Sequence, residues 1–329
     1  MELPVELKIA VDRLLQGTPL DELRRAARTL SARYRAETQD GRLHVADDLA
    51  AFAYLATRLP ATYAAIRTSL AHAADLVPDF SPESMLDIGA GPATALFAAA
   101  DCWPTLEKAV LVEKSQAMRR IGGDIVAEAT AIRAKWVNGD AETALPSAES
   151  AALVTAAYLL DEIDPTSIAP LVKRLWSLTG GMLVIVEPGT PAGWRRILAA
   201  RAELIAAGAS ILAPCPHDHD CPIASPDWCH FARRVARSRL HRQAKDADVP
   251  WEDEKYVYLA ASRAAPKRIY ARVLAPPRQS SGVVRLKLCN ANGSASDETV
   301  SRREGTLFKT ARRLDWGDAL LSVELDNGN

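Results

Sequence analysis

Residues 215–230, CPHDHDCPIASPDWCH, hold three of the chain's five cysteines together with three histidines, three aspartates and three prolines. A turn-rich loop has no packing need for so many thiols, so the segment points to a bound inorganic group. Cys215, Cys221 and Cys229 are separated by five and seven residues, and Cys289 ends the apolar run VVRLKLC. Zinc ribbons and fingers use tighter paired knuckles, about two to four residues between cysteines. Four thiolates spread over irregular loops suit an iron–sulfur cluster better, because a cluster is larger than one ion. The Cys215-Pro and Cys221-Pro steps match a step found in bacterial ferredoxin motifs. Two alternatives stand beside it. One is a mixed zinc site drawing on His217, His219 and His230; the other is a set of buried cysteines with no metal. Cys102, in DCWP, reads as a small apolar packing residue.

A second constellation lies at Met85–Thr94, MLDIGAGPAT, where an apolar strand runs into a glycine turn and then a helix. Gly89 and Gly91 let backbone N–H groups approach a ligand at the strand's C-terminal edge. Asp87 stands at the strand tip. Glu113 ends the next strand, AVLVEKS, where a carboxylate accepts hydrogen bonds from ribose hydroxyls. Asp140, in WVNGDA, ends the third strand and is expected to face an adenine ring. Strand, turn and spaced acids together resemble the S-adenosylmethionine-dependent methyltransferases of Rossmann-like fold. A dinucleotide oxidoreductase fits less well, since Gly91 is followed by Pro92, Ala93 and Thr94 rather than completing GxGxxG. Ala93 stands where many methyltransferases have a third glycine. The place after the fourth strand reads TAAYLLDEID, with neither the Asn/Asp-Pro-Pro-aromatic turn of amine methylation nor a cysteine nucleophile. No residue declares itself catalytic there; Tyr158 and Glu162 read as packing and helix-cap residues.

These residues need elements to hold them. Residues 1–80 place apolar side chains at helical spacing and are rich in Ala, Leu and Arg, with Pro60 breaking or kinking the second long stretch. From SMLDIGAG to GGMLVIVEP, short apolar runs alternate with helical stretches, which implies a parallel sheet covered on both faces. WRRILAARAELIAAGA reads as a helix, and HFARRVARSRLHRQAKDA as a basic helix carrying Arg233, Arg234, Arg237 and Arg239. Asp246–Glu254 reads as a loop. YVYLAASR, RIYARVLA and VVRLKLC then read as strands.

With 329 residues, 48% hydrophobic and 25% charged, the composition is that of a globular chain, and no apolar run is long enough to span a membrane. The acidic opening MELPVELKIAVD fits neither a signal nor a transit peptide, so a cytoplasmic protein with reduced thiols is expected. The net charge of −1 hides an asymmetry: Arg233–Arg313 carries 19 Lys/Arg against 8 Asp/Glu. Such a tract suggests a polyanionic partner.

Taken together, RLPATYAAI, LDIGAGPAT, IVEPGTPAGWRRI, the cysteine segment with WCHF, and WGD at 316–318 resemble the methyltransferase-like assembly factors of the mitochondrial small ribosomal subunit and their bacterial relatives. The likeness covers most of the chain, and the cysteine pattern is its most specific element. It implies an α/β Rossmann-like methyltransferase fold: a helical region at 1–80, the methyltransferase domain at 81–210, and a cysteine-bearing, basic, β-containing region at 211–329. It also implies a [4Fe-4S] cluster on Cys215, Cys221, Cys229 and Cys289, and S-adenosylmethionine at Asp87, Gly89, Gly91, Glu113 and Asp140. Contact with ribosomal RNA of the small subunit would run through the Arg/Lys tract 233–313, including Arg302, Arg303, Lys309, Arg312 and Arg313. The expected protein is monomeric off the ribosome and assists subunit assembly. Whether it transfers a methyl group is left open between a non-catalytic assembly factor and an active ribosomal RNA methyltransferase. A small-molecule methyltransferase is a third class, one with no use for the basic tract.

Overall fold

A computed structural model describes residues 1–36, 43–141, 149–267 and 269–321. Four helices come first: α1 (Val5–Leu15), α2 (Leu20–Arg35), α3 (Asp48–Thr57) and α4 (Leu59–Ala74). The break before Pro60 is real, because α3 ends at Thr57 and α4 takes the proline into its first turn, where a missing N–H is harmless. There follow β1 (Ser84–Ile88), α5 (Thr94–Cys102), β2 (Lys108–Glu113), α6 (Gln116–Ala129), β3 (Arg133–Asn138) and β4 (Ala151–Ala157). Next come α7 (Ile168–Ser177), β5 (Thr179–Pro188), α8 (Pro191–Ala206) and β6 (Ser210–Ala213). The remainder holds β7 (Phe231–Ala236), α9 (Arg239–Lys245), β8 (Trp251–Ser262), β9 (Ala271–Val273), β10 (Arg278–Ser280), β11 (Val283–Asn290), β12 (Ala295–Ser301), α10 (Gly305–Ala311) and β13 (Ala319–Leu320).

The main sheet has the order β3-β2-β1-β4-β5-β8-β6, with β7 paired to β8. Strands β1 to β5 pair in parallel, while β8 runs antiparallel to β5 and β6. This is the expected α/β Rossmann-like sheet, and its strand order reverses between β1 and β4. Helices α1 to α6 bury one face with Met85, Leu111, Leu153, Met182 and Val184. Helices α7 and α8 bury the other with Leu86, Ile88, Val154, Leu183 and Ile185. Alternation along each strand thus feeds two cores. A smaller sheet, β10-β11-β9-β13 with β12 on β11, forms a third core with α10 around Val284, Leu286, Leu288 and Phe308.

Three expectations give way here. The basic segment is not one helix: Phe231–Ala236 pairs with β8 as strand β7, and only Arg239–Lys245 is helical. Arg and Ala are good helix formers, but tertiary context outweighs propensity and pairing with β8 overrides it here. Asp246–Glu254 is not wholly loop, since β8 begins at Trp251. The main sheet also continues past residue 210, taking in β7 and β8.

The run IVEPGTPAGWRRI is explained by close packing at the end of β5. Thr190 Oγ1 caps α8 by accepting the Gly193 N–H at 3.0 Å. A Cβ on Gly193 would lie 2.1 Å from the Pro188 carbonyl oxygen, whereas one on Gly123 of α6 would meet nothing nearer than 3.8 Å. Gly193→Ala is therefore expected to destabilise the protein by about 1–3 kcal/mol through overpacking. Gly123→Ala is expected to leave the melting temperature equal or higher, because alanine suits a helix better. Paired thermal melts check both.

Candidate functional site

Two sites emerge, one at the glycine turn and one around the cysteines. At the turn, Gly89 has φ of 72° and Gly91 of 53°, in the left-handed region that only glycine enters freely. Ala93 shares that conformation at φ 69° and is fully buried, so its methyl group carries backbone strain that glycine would avoid. The Glu113 carboxylate accepts the Gly91 N–H at 2.8 Å and the Ser115 N–H at 2.6 Å. Burial pushes its carboxyl up, against those same hydrogen bonds.

Asp87 is almost wholly buried and accepts a 2.6 Å hydrogen bond from Thr155 Oγ1, while its Oδ2 has no partner. Burial raises its pKa to about 7; the Thr155 hydrogen bond opposes this and the Glu113 charge adds to it. The two acids do not share a cavity. Glu113, Gly89 and Gly91 line a cleft with Tyr34, His44, Tyr54, Tyr158 and Glu162. Asp87 lines a smaller adjoining space with Thr94, and Gly89, Gly91, Tyr54 and Tyr158 border both. Asp140 lines neither; its carboxylate lies 2.6 Å from Lys114 Nζ.

Several residues in the cleft were passed over in the sequence. Tyr34 and His44 stack at 4.7 Å and come from the helical region, which therefore walls the cleft rather than merely preceding it. Tyr158 follows β4 with φ of 54°, a strained backbone for a bulky residue. Its hydroxyl donates to Glu254 Oε1 at 2.9 Å, with Arg58 Nη2 at 3.6 Å from the same oxygen. Glu162 is held up to about 8 by burial and by the neighbouring Asp161 and Glu113 charges. The packing role first read for Tyr158 and Glu162 is thus incomplete. Positive φ is invisible in a residue string, and the N-terminal wall depends on distant contacts.

At the second site the structure brings Cys215, Cys221, Cys229 and Cys289 to the lining of one pocket. Three thiols come from the loop between β6 and β7, the fourth from β11 of the small sheet, and Cys102 lies elsewhere, in α5. Two buried guanidiniums brace the loop. Arg201 Nη2 donates to the His217 and His219 carbonyls at 2.8 and 2.7 Å. Arg272 donates to the carbonyls of Pro214 and Gly317, each at 2.9 Å. Arg201 Nε and Arg272 Nη2 are buried with no hydrogen-bond partner, and no carboxylate lines the cavity. His217 Nε2 lies 3.4 Å from Cys289 Sγ; His219 stacks on His217, and His230 stacks on Trp228. Burial and the neighbouring thiols push Cys289 up to about 12. Among the described residues, no three His, Cys, Asp or Glu side chains converge closely enough to hold a single metal ion.

The basic tract divides in two. Arg234 pairs with Asp253, and Arg237 and Lys245 share Glu252, so its first part is largely neutralised. From Tyr256 to Arg313 there are 12 Lys/Arg against 3 Asp/Glu. Among the described residues no helix is long and apolar enough to cross a membrane.

Comparison with known proteins places these features. The human mitochondrial ribosome assembly protein METTL17 is 26% identical over 290 residues, covering 81% of this chain and 61% of its own length. The mitochondrial Rsm22-cox11 tandem protein 2 of Schizosaccharomyces pombe is 23% identical, covering 97% of this chain and 50% of its own length. The chain thus spans between half and two thirds of these relatives. An O-methyltransferase family protein from Burkholderia thailandensis overlaps 75% of this chain and 72% of its own, with TM-score 0.46 and 14% identity. Magnesium protoporphyrin IX methyltransferase from Synechocystis overlaps 60% and 79%, with TM-score 0.39 and 14% identity. The fold class rests on the strand order above rather than on these overlaps. The expectation of a cytoplasmic protein is corrected: the matching family and both relatives are named as mitochondrial, against a cytoplasmic setting. A family model described as mitochondrial small ribosomal subunit Rsm22 matches residues 48–321, and the chain belongs to that family.

Proposed function

We propose that this protein is a methyltransferase-like assembly factor of the small ribosomal subunit that carries a [4Fe-4S] cluster on Cys215, Cys221, Cys229 and Cys289. In this reading it binds S-adenosylmethionine beside Gly89 and Gly91 and meets ribosomal RNA through its basic C-terminal part. The observation that carries the reading is the cysteine cavity: four thiols and the buried Arg201 in its lining, no carboxylate, and the buried Arg272 holding the adjoining Pro214 carbonyl, each guanidinium with one N–H left without a partner. Buried cations need an anionic partner, and a cubane held by four thiolates is a net anion. When bound, the cluster would supply cross-linking between the β6–β7 loop and the small sheet, and redox chemistry is open to it. Arg201 and Arg272 would hold the loop carbonyls and face its charge; His217 would lie beside Cys289.

At the cleft, Gly89 and Gly91 allow close backbone approach and Glu113 is placed for ribose hydroxyls, once it leaves the N–H groups it now accepts. The Tyr158 side chain in the cleft lining is tied through its hydroxyl to Glu254 beside Arg58, and no amine-methylation turn follows β4. Both favour a ligand held for structure over one consumed. The strained backbone of Tyr158 favours the rival reading, an active ribosomal RNA methyltransferase, because such strain collects at reactive sites. Mapping methylated nucleotides of small-subunit RNA with and without the gene separates the two; a lost mark supports only the second.

Purified without oxygen, the protein is expected to be brown, with about four iron and four sulfide per chain. Cys289→Ser is expected to lose most of the iron and Cys102→Ser to keep it. A colourless protein with one zinc overturns the cluster. Titration calorimetry with S-adenosylmethionine is expected to show binding that Glu113→Gln weakens by about tenfold or more, the scale of a charged hydrogen bond lost. Asp87 gives a pH signature. Its folded pKa, about 7, lies above the unfolded value of about 3.9, so its protonated form stabilises the fold below pH 4 and that contribution is lost as pH rises through 7. Asp87→Asn is therefore expected to raise the melting temperature at pH 8, with the gain vanishing near pH 4.

A further inference from the structure

The small sheet is covered on one face and open on part of the other. Val284, Leu286 and Leu288 of β11 turn towards α10 and its Phe308. The intervening residues turn the opposite way, and the register orders them into rows. Arg272 of β9 stands opposite Cys289 at the inner end, both buried. Lys287 comes next, opposite Asp297 and paired with Asp227 of the cysteine loop. Beyond it Arg278 of β10 stands directly opposite Arg285, and Thr299 of β12 flanks Arg285 on its other side. Ser280, Val283 and Ser301 form the outermost row. Arg278, Arg285 and Thr299 are all exposed.

Two like charges set opposite each other on one sheet face repel. Lys287 escapes this with two carboxylates close by, yet among the described residues neither Arg278 nor Arg285 forms an ion pair. An exposed arginine pair with the Thr299 hydroxyl beside it is complementary to phosphate oxygens, because the planar guanidinium fork donates to two of them at once. A repeating anion also answers the wider excess of uncompensated charge from Tyr256 to Arg313. We propose that this open face, centred on Arg278 and Arg285, docks the sugar–phosphate backbone of RNA. The inference rests on the RNA-binding part of the proposed function and says where on the molecule the contact is made. Because the same face ends in Arg272 and Cys289, the thiol site sets the position of the arginine rows against the main sheet.

The test uses the full chain, purified without oxygen, and a transcript of small-subunit ribosomal RNA, with affinity measured across a salt series. Arg278→Gln with Arg285→Gln is expected to weaken binding about tenfold or more and to make the slope of log affinity against log salt shallower by about two, one per phosphate contact. Arg25→Gln with Arg133→Gln, the same charge change on exposed residues of α2 and β3, is expected to leave both unchanged. Iron content and thermal melts on each variant verify an intact fold. If the sheet pair binds like the unaltered chain while the control pair loses affinity, this face is not the contact, although the RNA reading stands. If the sheet pair keeps RNA affinity but no longer co-sediments with small subunits, the face docks a ribosomal protein and the RNA assignment is overturned. If the unaltered chain binds no RNA, the inference and the reading beneath it fall together.

Discussion

Two guanidiniums sealed inside the protein, Arg201 and Arg272, are the constraint around which the C-terminal half is arranged. Each donates to two backbone carbonyls, Arg201 on the cysteine loop and Arg272 across the seam between the two sheets, and keeps one N–H without a partner. A carbonyl is only a partial charge, so neither cation is neutralised by these contacts. The four thiols share the cavity with His217 and Tyr258, and burial raises the pKa of Cys215, Cys229 and Cys289, so as neutral thiols they leave both cations unanswered. The β6–β7 loop meets β11 through Lys287–Asp227 and the His217–Cys289 contact, while His230, stacked on Trp228, meets the Trp316 ring edge-on.

The glycine-turn cleft is built on a different principle. Its floor is the edge where the strand order reverses, the place where open parallel sheets bind ligands. Its wall comes from the N-terminal helices, through Tyr34, His44 and Tyr54. That wall is secured from below by α4, which packs against α5 and β8, and by the Arg58 contact to Glu254. The helical region therefore belongs to the site as much as to the scaffold. Glu113, meanwhile, satisfies the donors of the glycine turn itself.

What could be read in the sequence follows from the range of the interactions involved. Strands β1 to β5 and the helices between them announce themselves through local periodicity, as does the glycine turn through its residue types. The cysteine set was legible because thiols are rare in this chain. The strand character of Phe231–Ala236 was not, since its apolar spacing suits a helix and only the pairing with β8 decides otherwise. The division of the basic tract was equally hidden: Arg234 and Arg237 look free until β8 brings Asp253 and Glu252 opposite. Tyr158 and Glu162 were undervalued because a strained φ and a shared cavity exist only in three dimensions.

Strand β8 touches both sites. Glu254, near its start, holds Tyr158 in the cleft, and Tyr258, four residues on, lines the cysteine cavity. At about 3.4 Å per residue the two points are some 14 Å apart, with Glu254 opposite Arg233 of β7 and Tyr258 opposite Val186 of β5. The strand thus acts as a common ruler. A slip of its register by a single pair would misplace the phenol's anchor and the thiol chamber's wall in one movement, so neither compartment can be remodelled without the other.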